Sequence, residues 1–337
     1  MRPLKRQLYL LLAVVVTLTA NGFHSAASAD SSTPISVTVA TPMAPPERLL
    51  GIYAGGNPGT AYAAQALRWA KAAGFGLVLN YSSIDATPAA ITGYLKLAQQ
   101  LHLKVIMSLS DLLGTTDLDP SDRVWHRQFG ATTDAEVKSI VRQFGARPSV
   151  WGFSISDELP GDATSLAHWL PALKLRQRQV AALSHKPTLA TLYWSGVDPA
   201  FYRSVKSATT DLAIDYYPVP QNPRYGPVSA ITTIGQTLHA AAGRNSWFTL
   251  QGFGWSNGHH PESQGLGFTK AAAPTTGQMV AMAKQAITAG ARNLIVFSYD
   301  DNAPGGYGPE GLGDPHELGA IATAARTITT AAWWRAG

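Results

Sequence analysis

The sequence predicts an α/β protein built as a single-domain (β/α)8 barrel, and three observations support this prediction. Eight short apolar or β-branched runs recur along the chain from Leu49, and most are separated by stretches with helical periodicity. The eight units occupy about 280 residues, close to the roughly 250 residues typical of this TIM-barrel architecture. Acidic, amide and aromatic residues gather where the runs end, which is where such barrels carry their functional sites.

The elements follow one another in a regular order. The runs are LLGIYAGG from Leu49, FGLVLNY from Phe75, KVIMSLSD from Lys104, VWGFSISDE from Val150, PTLATLYW from Pro187, TDLAIDYYP from Thr210, SWFTLQGFGW from Ser246 and NLIVFSYDD from Asn293. Helices are predicted at 60–73, from 133, and at 163–184, 276–290 and 317–334, with room for only a short helix after the fifth run. A doubly wound open sheet is the alternative, but YAGGNPGT after the first run lacks the Gly-x-Gly-x-x-Gly and Walker spacings.

The N-terminal segment has the three parts of a secretory signal peptide. Arg2, Lys5 and Arg6 precede the apolar stretch LYLLLAVVVTLTA, and AASAD then offers a small-residue cleavage site after Ala29. Residues 30–47, rich in Ser, Thr and Pro, are predicted to form a linker or exposed arm, and residues 48–337 the barrel. We therefore expect a secreted protein without a stable membrane anchor after cleavage; the alternative is an uncleaved N-terminal anchor.

Composition excludes several classes of function. The signal segment holds three of the 26 Lys and Arg residues and none of the 21 Asp and Glu residues. The remaining 23 basic and 21 acidic residues give a net charge of only +2, which does not indicate nucleic-acid binding. The chain has no cysteine, which excludes disulfides, thiol nucleophiles and Cys-based metal sites. No ligand set has metal spacing and no cofactor motif occurs, so neither a metal nor a cofactor is expected.

Nearly every predicted strand ends in polar or aromatic residues. The ends of strands two to eight hold Asn80 and Tyr81; Asp111; Asp157 and Glu158; Tyr193 and Trp194; Asp215, Tyr216 and Tyr217; Gln251 and Trp255; and Tyr299, Asp300 and Asp301. Because the carboxyl ends of parallel barrel strands meet at one face, we expect these side chains to converge there.

The period of two residues along a strand predicts which of them face the interior. In the fourth run the small Gly152, Ser154 and Ser156 share a face with Glu158, so this face is expected to point inward. Asp157 falls on the bulky outer face with Trp151, where it would support a neighbouring loop of the site.

The same alternation is applied to the sixth, seventh and eighth runs. It places two sets of residues inward, Ala213, Asp215 and Tyr217 on one strand and Val296, Ser298 and Asp300 on the other. Gln251 is placed inward with Thr249.

These residue types suit work on sugars. A Glu flanked by apolar walls and another acid has a raised pKa, which suits a general acid. Tyr and Trp offer flat faces for sugar rings and polar tips for hydroxyl groups. The candidate substrate-binding residues are Tyr81, Asp157, Trp194, Tyr217, Gln251 and Trp255.

The pattern resembles glycoside hydrolases with barrel folds. In the retaining clan called clan A, the acid/base Glu ends strand four and a nucleophilic Glu ends strand seven. Glu158 matches the first position, whereas Gln251 occupies the second, where an amide cannot serve as nucleophile. The chitinase motif Asp-Gly-x-Asp-x-Asp-x-Glu is matched on strand four only at Gly152 and Glu158.

The sequence also resembles a group of secreted bacterial barrel proteins, assigned by fold to the glycoside hydrolase superfamily. The resemblance lies in four segments spread over the barrel, WGFSISDELP, IDYYPVP, LQGFGW and AITAGARNLIVFSYDD. It implies a glycosidase with a carbohydrate substrate, for which we expect a monomer.

The second carboxylate is expected to be Asp300 or, next, Asp215. Two other functions stay open: a carbohydrate-binding barrel that has lost catalysis, and an enzyme of another class such as a lyase or deacetylase.

Overall fold

The structure confirms the single-domain (β/α)8 barrel. The computed structural model describes residues 47–110, 133–159, 163–193, 198–219, 227–254, 273–300 and 315–336, all within one compact unit, Pro45–Gly337. Eight parallel strands close into a barrel in chain order, with β8 pairing with β1. The predicted signal peptide and all of the arm except Glu47 lie outside the described residues.

The observed strands begin within two residues of the predicted runs. The strands are β1 (Leu50–Tyr53), β2 (Leu77–Asn80), β3 (Lys104–Ser108), β4 (Val150–Leu159), β5 (Thr188–Tyr193), β6 (Asp211–Asp215), β7 (Ser246–Gln251) and β8 (Asn293–Phe297). The helices are α1 (Ala61–Ala73), α2 (Pro88–Gln100), α3 (Thr133–Phe144), α4 (Ala163–Leu183), α5 (Pro199–Lys206), α6 (Ala230–Ala242), α7 (Thr276–Thr288), α8 (Pro315–Thr330) and α9 (Ala332–Arg335). In the described part of the chain, no helix has the length and apolar character needed to cross a membrane.

Local sequence signals explain where several helices begin and end. Helix α1 follows Thr60, whose Oγ1 accepts a hydrogen bond from the Ala63 amide, and ends at Gly74, which adopts a φ of 96°. Helix α7 begins with a capping box in which Thr275 and Gln278 bond each other's backbone amides. These caps satisfy amide groups that the helices themselves leave unpaired.

Two apolar layers hold the barrel together. The larger layer lies between the strands and the helices. The inner layer fills the barrel with side chains from seven strands, all except β4: Tyr53, Leu77, Leu79, Ile106, Leu189, Ala213, Trp247 and Ile295. Gly152 lets β4 and β5 approach closely, since a Cβ atom there would lie 2.5 Å from the carbonyl oxygen of Pro187.

The N-terminal end of the barrel is filled by two tryptophans. Trp151 packs edge-on against Trp247 with ring centroids 5.0 Å apart, so the prediction that Trp151 faces the outer layer is wrong. An extra residue in β4 is the reason, because Val105 and Ile106 of β3 pair with Val150 and Gly152 and leave Trp151 between them.

A buried carboxyl group lies in the same region. The indole Nε1–H of Trp247 donates to Oδ1 of Asp211 at 3.0 Å. Burial raises the pKa of Asp211 to about 6, against the opposing effects of Trp247, Thr210 and Lys206.

Candidate active site

Two acidic residues from β4 and one from β6 come together at the C-terminal mouth of the barrel. The carboxylates of Glu158 and Asp157 both raise the pKa of Asp215, with Glu158 the larger influence of the two. The structure thus brings together Glu158 and Asp215, the predicted catalytic candidates on these two strands, with Asp157, which the sequence had singled out as a substrate-binding residue.

Asp157 lies on the interior side, and its predicted outward orientation is corrected. Its carboxylate raises the pKa of Tyr53 and is the strongest charged influence on Tyr81, two residues that border the barrel axis. The strict alternation breaks down because the pairing of β4 with β5 shifts twice, between Ser154 and Ser156 and again before Leu159.

Glu158 occupies an unusual backbone conformation at this irregular strand end. Its φ is 40°, a left-handed value that favours glycine and costs a side-chain-bearing residue of order 1 kcal/mol or more. Glu158 is exposed, whereas residues 152–156 of β4 are buried. Such strain is found preferentially at functional sites, where the surrounding structure enforces it.

Asp215 forms the floor of the site. Only 1% of its surface is exposed, and its backbone pairs in register with that of Thr249 on β7. Burial raises the pKa of Asp215 well above its ordinary value, and the carboxylates of β4 raise it further, whereas the nearby hydroxyls of Thr249 and Tyr217 lower it. The Oδ1 atom has no hydrogen-bond partner among the described residues.

Aromatic rings form one wall of the mouth. Tyr53 stacks on Tyr81 with centroids 5.0 Å apart, and Phe297 meets Tyr53 edge-on at 5.2 Å. Tyr217 packs against Phe253 at 5.1 Å and against Phe297 at 5.9 Å. Tyr81 and Phe297 are half-buried, so part of this wall faces the open end of the barrel.

Gln251 is a scaffolding residue in this structure. It is fully buried, and its Oε1 accepts a hydrogen bond from the Val219 amide at 2.8 Å. Its Nε2 donates to the carbonyl oxygens of Val219 and Phe253. Because both N–H groups and the oxygen are engaged, Gln251 ties the segment after β6 to the segment after β7 and does not present its amide to a ligand.

Asp300 is hydrogen-bonded to residues after β1, and the prediction that Val296 faces the interior is wrong. Val296 belongs to the outer layer, whereas Ile295 belongs to the inner one. The carboxylate of Asp300 accepts hydrogen bonds from the Gly55 amide and from the Tyr62 hydroxyl, the latter at 2.7 Å. It therefore anchors the segment between β1 and α1.

Pairing with β1 is the physical reason for this correction. Ile295 stands beside Gly51, whose missing side chain leaves room inside the barrel for Ile295 and Leu77. Both faces of NLIVF are apolar, so the sequence pattern could not tell them apart.

Sequence reasoning missed Tyr53, Phe253 and Phe297. Tyr53 ends the first strand, so the strand-end rule would have found it there as well. Phe297 was passed over because the wrong face of β8 was taken as inward. The predicted contacts Trp194 and Trp255 lie outside the described residues.

Within the described ranges, no group of three His, Asp or Glu side chains is arranged to hold a metal ion. The convergence of Asp157, Glu158 and Asp215 suits acid–base chemistry, since one carboxyl group is buried and the others lie nearer the opening.

The barrel fold is shared with glycoside hydrolases of known structure. A β-galactosidase from the psychrophilic Marinomonas ef1 has a TM-score of 0.62 at 12% sequence identity, over 83% of this chain and 59% of that chain. A putative α-L-fucosidase from Bacteroides thetaiotaomicron has a TM-score of 0.54 at 12% identity, over 88% of this chain and 99% of that one. A GH113 β-mannanase from Alicyclobacillus acidocaldarius has a TM-score of 0.50 at 13% identity, over 83% and 96%.

The expected likeness to glycoside hydrolase barrels is thus confirmed at the level of the fold. Identities this low do not carry an activity from one protein to another. No protein-family model and no curated protein matches the sequence.

Proposed function

We propose that the protein is a secreted glycoside hydrolase that cleaves O-glycosidic bonds of a poly- or oligosaccharide. The observation that carries the proposal is the convergence of Asp157, Glu158 and Asp215 beside an aromatic wall at the C-terminal mouth of the barrel. Carboxyl groups in different environments supply the acid and the carboxylate that glycoside hydrolysis requires.

Glu158 is the proposed general acid/base. It is the exposed member of the acidic cluster, so a glycosidic oxygen can approach it, and its strained backbone sets it at the strand end. It would protonate the leaving oxygen while a second carboxylate stabilises the positive charge that develops on the sugar. Asp157 and Asp215 are the candidates for that carboxylate. Asp300 is less suited, since Gly55 and Tyr62 already occupy its oxygens.

The aromatic side chains would form the sugar subsites. Tyr81 is half-buried and presents its ring at the mouth, and Tyr217 belongs to the same wall although only 3% of its surface is exposed. Trp194 and Trp255 follow strands β5 and β7 in the sequence. Stacking on such rings orients a sugar without consuming its hydroxyl groups. In this proposal the protein acts as a monomer, its substrate is a carbohydrate, and it uses no cofactor and binds no nucleic acid.

Export rests on the N-terminal sequence. Residues 1–29 would be removed on secretion, leaving Asp30 as the first residue. Mass spectrometry of the protein recovered from the culture medium should find Asp30 as its first residue. Protein that keeps residues 1–29 and stays with the cell membranes would instead indicate an anchored protein.

A carbohydrate-binding barrel without catalysis is the second candidate. Gln251 favours it, because this amide stands at the end of strand seven, where clan A hydrolases carry their nucleophile, and is bonded entirely to backbone groups. Under this function the same aromatic wall would bind sugar, and no variant of Glu158 would change turnover.

A hydrolysis screen separates the two candidates. The secreted protein, Glu158→Gln and the control Glu47→Gln would be assayed against a panel of polysaccharides and aryl glycosides. Glu47 is exposed and precedes the N-terminal end of β1. Its variant therefore makes the same charge change at the end of the barrel opposite the mouth. Turnover that is lost in Glu158→Gln and kept in Glu47→Gln supports the hydrolase. Binding of sugar without turnover in any of the three proteins supports the binding barrel.

A further inference from the structure

The three carboxyl groups at the mouth differ sharply in their access to water. Asp215 is 1% exposed, Asp157 is half-buried and Glu158 is exposed. A buried carboxylate loses hydration that only charged or hydrogen-bonding neighbours can replace. The cluster therefore holds one carboxyl group for which the charged form is costly and two for which water remains available.

The neighbours of Asp215 in the described part of the chain do not offset this cost. The charges that act on it are the carboxylates of Glu158 and Asp157, and like charges at close range disfavour one another. The favourable contacts are the hydroxyls of Thr249 and Tyr217. One of its oxygens, Oδ1, is left without a hydrogen-bond partner among the described residues.

Among the described residues, the remaining titratable groups at the floor are phenols. The titratable groups that face Asp215 or share its surroundings are Asp157 and Glu158 from β4, Tyr53 from β1, Tyr81 after β2 and Tyr217 after β6. Burial raises the pKa of each of the three phenols well above its usual range, so they stay neutral.

We propose that Asp215 keeps its proton in the working protein and acts as a positioning residue, and that Asp157 is the ionised carboxylate that works with Glu158. The assignment rests on the proposed function, whose second carboxylate it identifies. A protonated Asp215 can donate a hydrogen bond, which a carboxylate cannot do, and its Oδ1, which has no partner among the described residues, is the oxygen that can carry this proton. Asp157 then faces the developing positive charge on the sugar beside the ring of Tyr81.

Isosteric variants distinguish the three roles by activity. Asp215→Asn keeps a neutral donor of the same shape, so we expect kcat/KM to stay within about 10-fold of the parent, whereas Asp157→Asn and Glu158→Gln should each lose at least about 100-fold. The alkaline limb of the pH profile should also change in Asp215→Asn if its proton orients the pair. Loss of turnover in Asp215→Asn with retention in Asp157→Asn would overturn the assignment.

Infrared spectroscopy tests the proton without any turnover. At about pH 8, far above the ordinary pKa of Asp, the parent should show the C=O stretching band of a protonated carboxylic acid, and Asp215→Asn should lack it. Asp211→Asn is the matched control, because this buried carboxyl on the same strand is ionised at that pH and its removal should leave the band intact.

The two proposals fail in different ways. If no protein hydrolyses any glycoside, the hydrolase is refuted while the infrared band still reports on Asp215. If the band is the same in the parent and Asp215→Asn, the assignment of the proton is refuted whatever the activity. Asp215→Ser, which is smaller and cannot clash, serves for the same comparison where Asp215→Asn does not fold.

Discussion

Replacing Asp211 by Asn should make the protein more stable at neutral pH and remove part of the pH dependence of its stability. Asp211 lies at the N-terminal end of the barrel, 6% exposed, and accepts a hydrogen bond from the indole of Trp247. Burial raises its pKa from 3.8 to about 6 in the folded chain. The folded protein therefore holds this proton more tightly than the unfolded chain does.

The sign and size of the effect follow from linkage. Below the pKa that Asp211 has in the unfolded chain, its carboxyl is protonated in both the folded and the unfolded state and does not lower the free energy of unfolding. As pH rises toward 6 the unfolded chain ionises first, so the free energy of unfolding falls until the folded carboxyl has also ionised. A shift of roughly two units at about 1.4 kcal/mol each amounts to about 3 kcal/mol. Asn keeps an acceptor for Trp247 but adds N–H groups whose burial costs about 1 kcal/mol or more, so the net gain is about 1 to 2 kcal/mol.

Denaturant unfolding followed by tryptophan fluorescence measures the difference. The parent and Asp211→Asn would be compared at about pH 4, where the carboxyl is largely protonated in the folded chain, and at about pH 8, where it is ionised in both states. We expect the variant to gain stability relative to the parent between the two. A stability difference that does not change with pH, or one that favours the parent more at the higher pH, would refute this account of the buried carboxyl.

Three other substitutions test the architecture. Glu158→Gly should be more stable than Glu158→Ala by about 1 kcal/mol in thermal unfolding, because glycine adopts the left-handed φ without a Cβ clash; equal stabilities would contradict the strain. Gly152→Ala should destabilise by about 2 kcal/mol or more, since the new methyl meets the Pro187 carbonyl at 2.5 Å, and an unchanged midpoint in urea would show that β4 and β5 can separate freely. Gln251→Leu should lower the free energy of unfolding in urea by about 2 kcal/mol or more, because it leaves the Val219 amide and carbonyl buried without their partner. A variant as stable as the parent would show that water replaces the side chain.

The regular elements were readable from the sequence for simple reasons. Parallel strands buried on both faces appear as short apolar runs, and the helices between them carry their own periodicity and caps, such as Thr60 before α1. The rule that the C-terminal strand ends carry the site then brought Glu158, Asp215 and Tyr217 together without coordinates.

The orientation of individual side chains was predicted less well. Strict alternation failed at Trp151 and at Asp157, because extra residues and shifted pairing in β4 change the face that follows them. It failed again in β8, where both faces are apolar and only the pairing of Ile295 with Gly51 decides which one lies inside. Register is a property of two strands, and one strand's sequence does not contain it.

The sequence by itself determined the number and order of the strands and helices, and hence which strand ends share one face of the barrel. Only the tertiary structure decided the partners of two side chains: Asp300 is hydrogen-bonded to Gly55 and Tyr62, and the side-chain amide of Gln251 is hydrogen-bonded to backbone groups. It also decided that Asp215 is buried near the acidic residues of β4. The physical reason is the separation along the chain of the residues that determine each property. Hydrophobic periodicity is local, whereas a carboxyl group's protonation and partners depend on neighbours contributed by strands far apart in the chain.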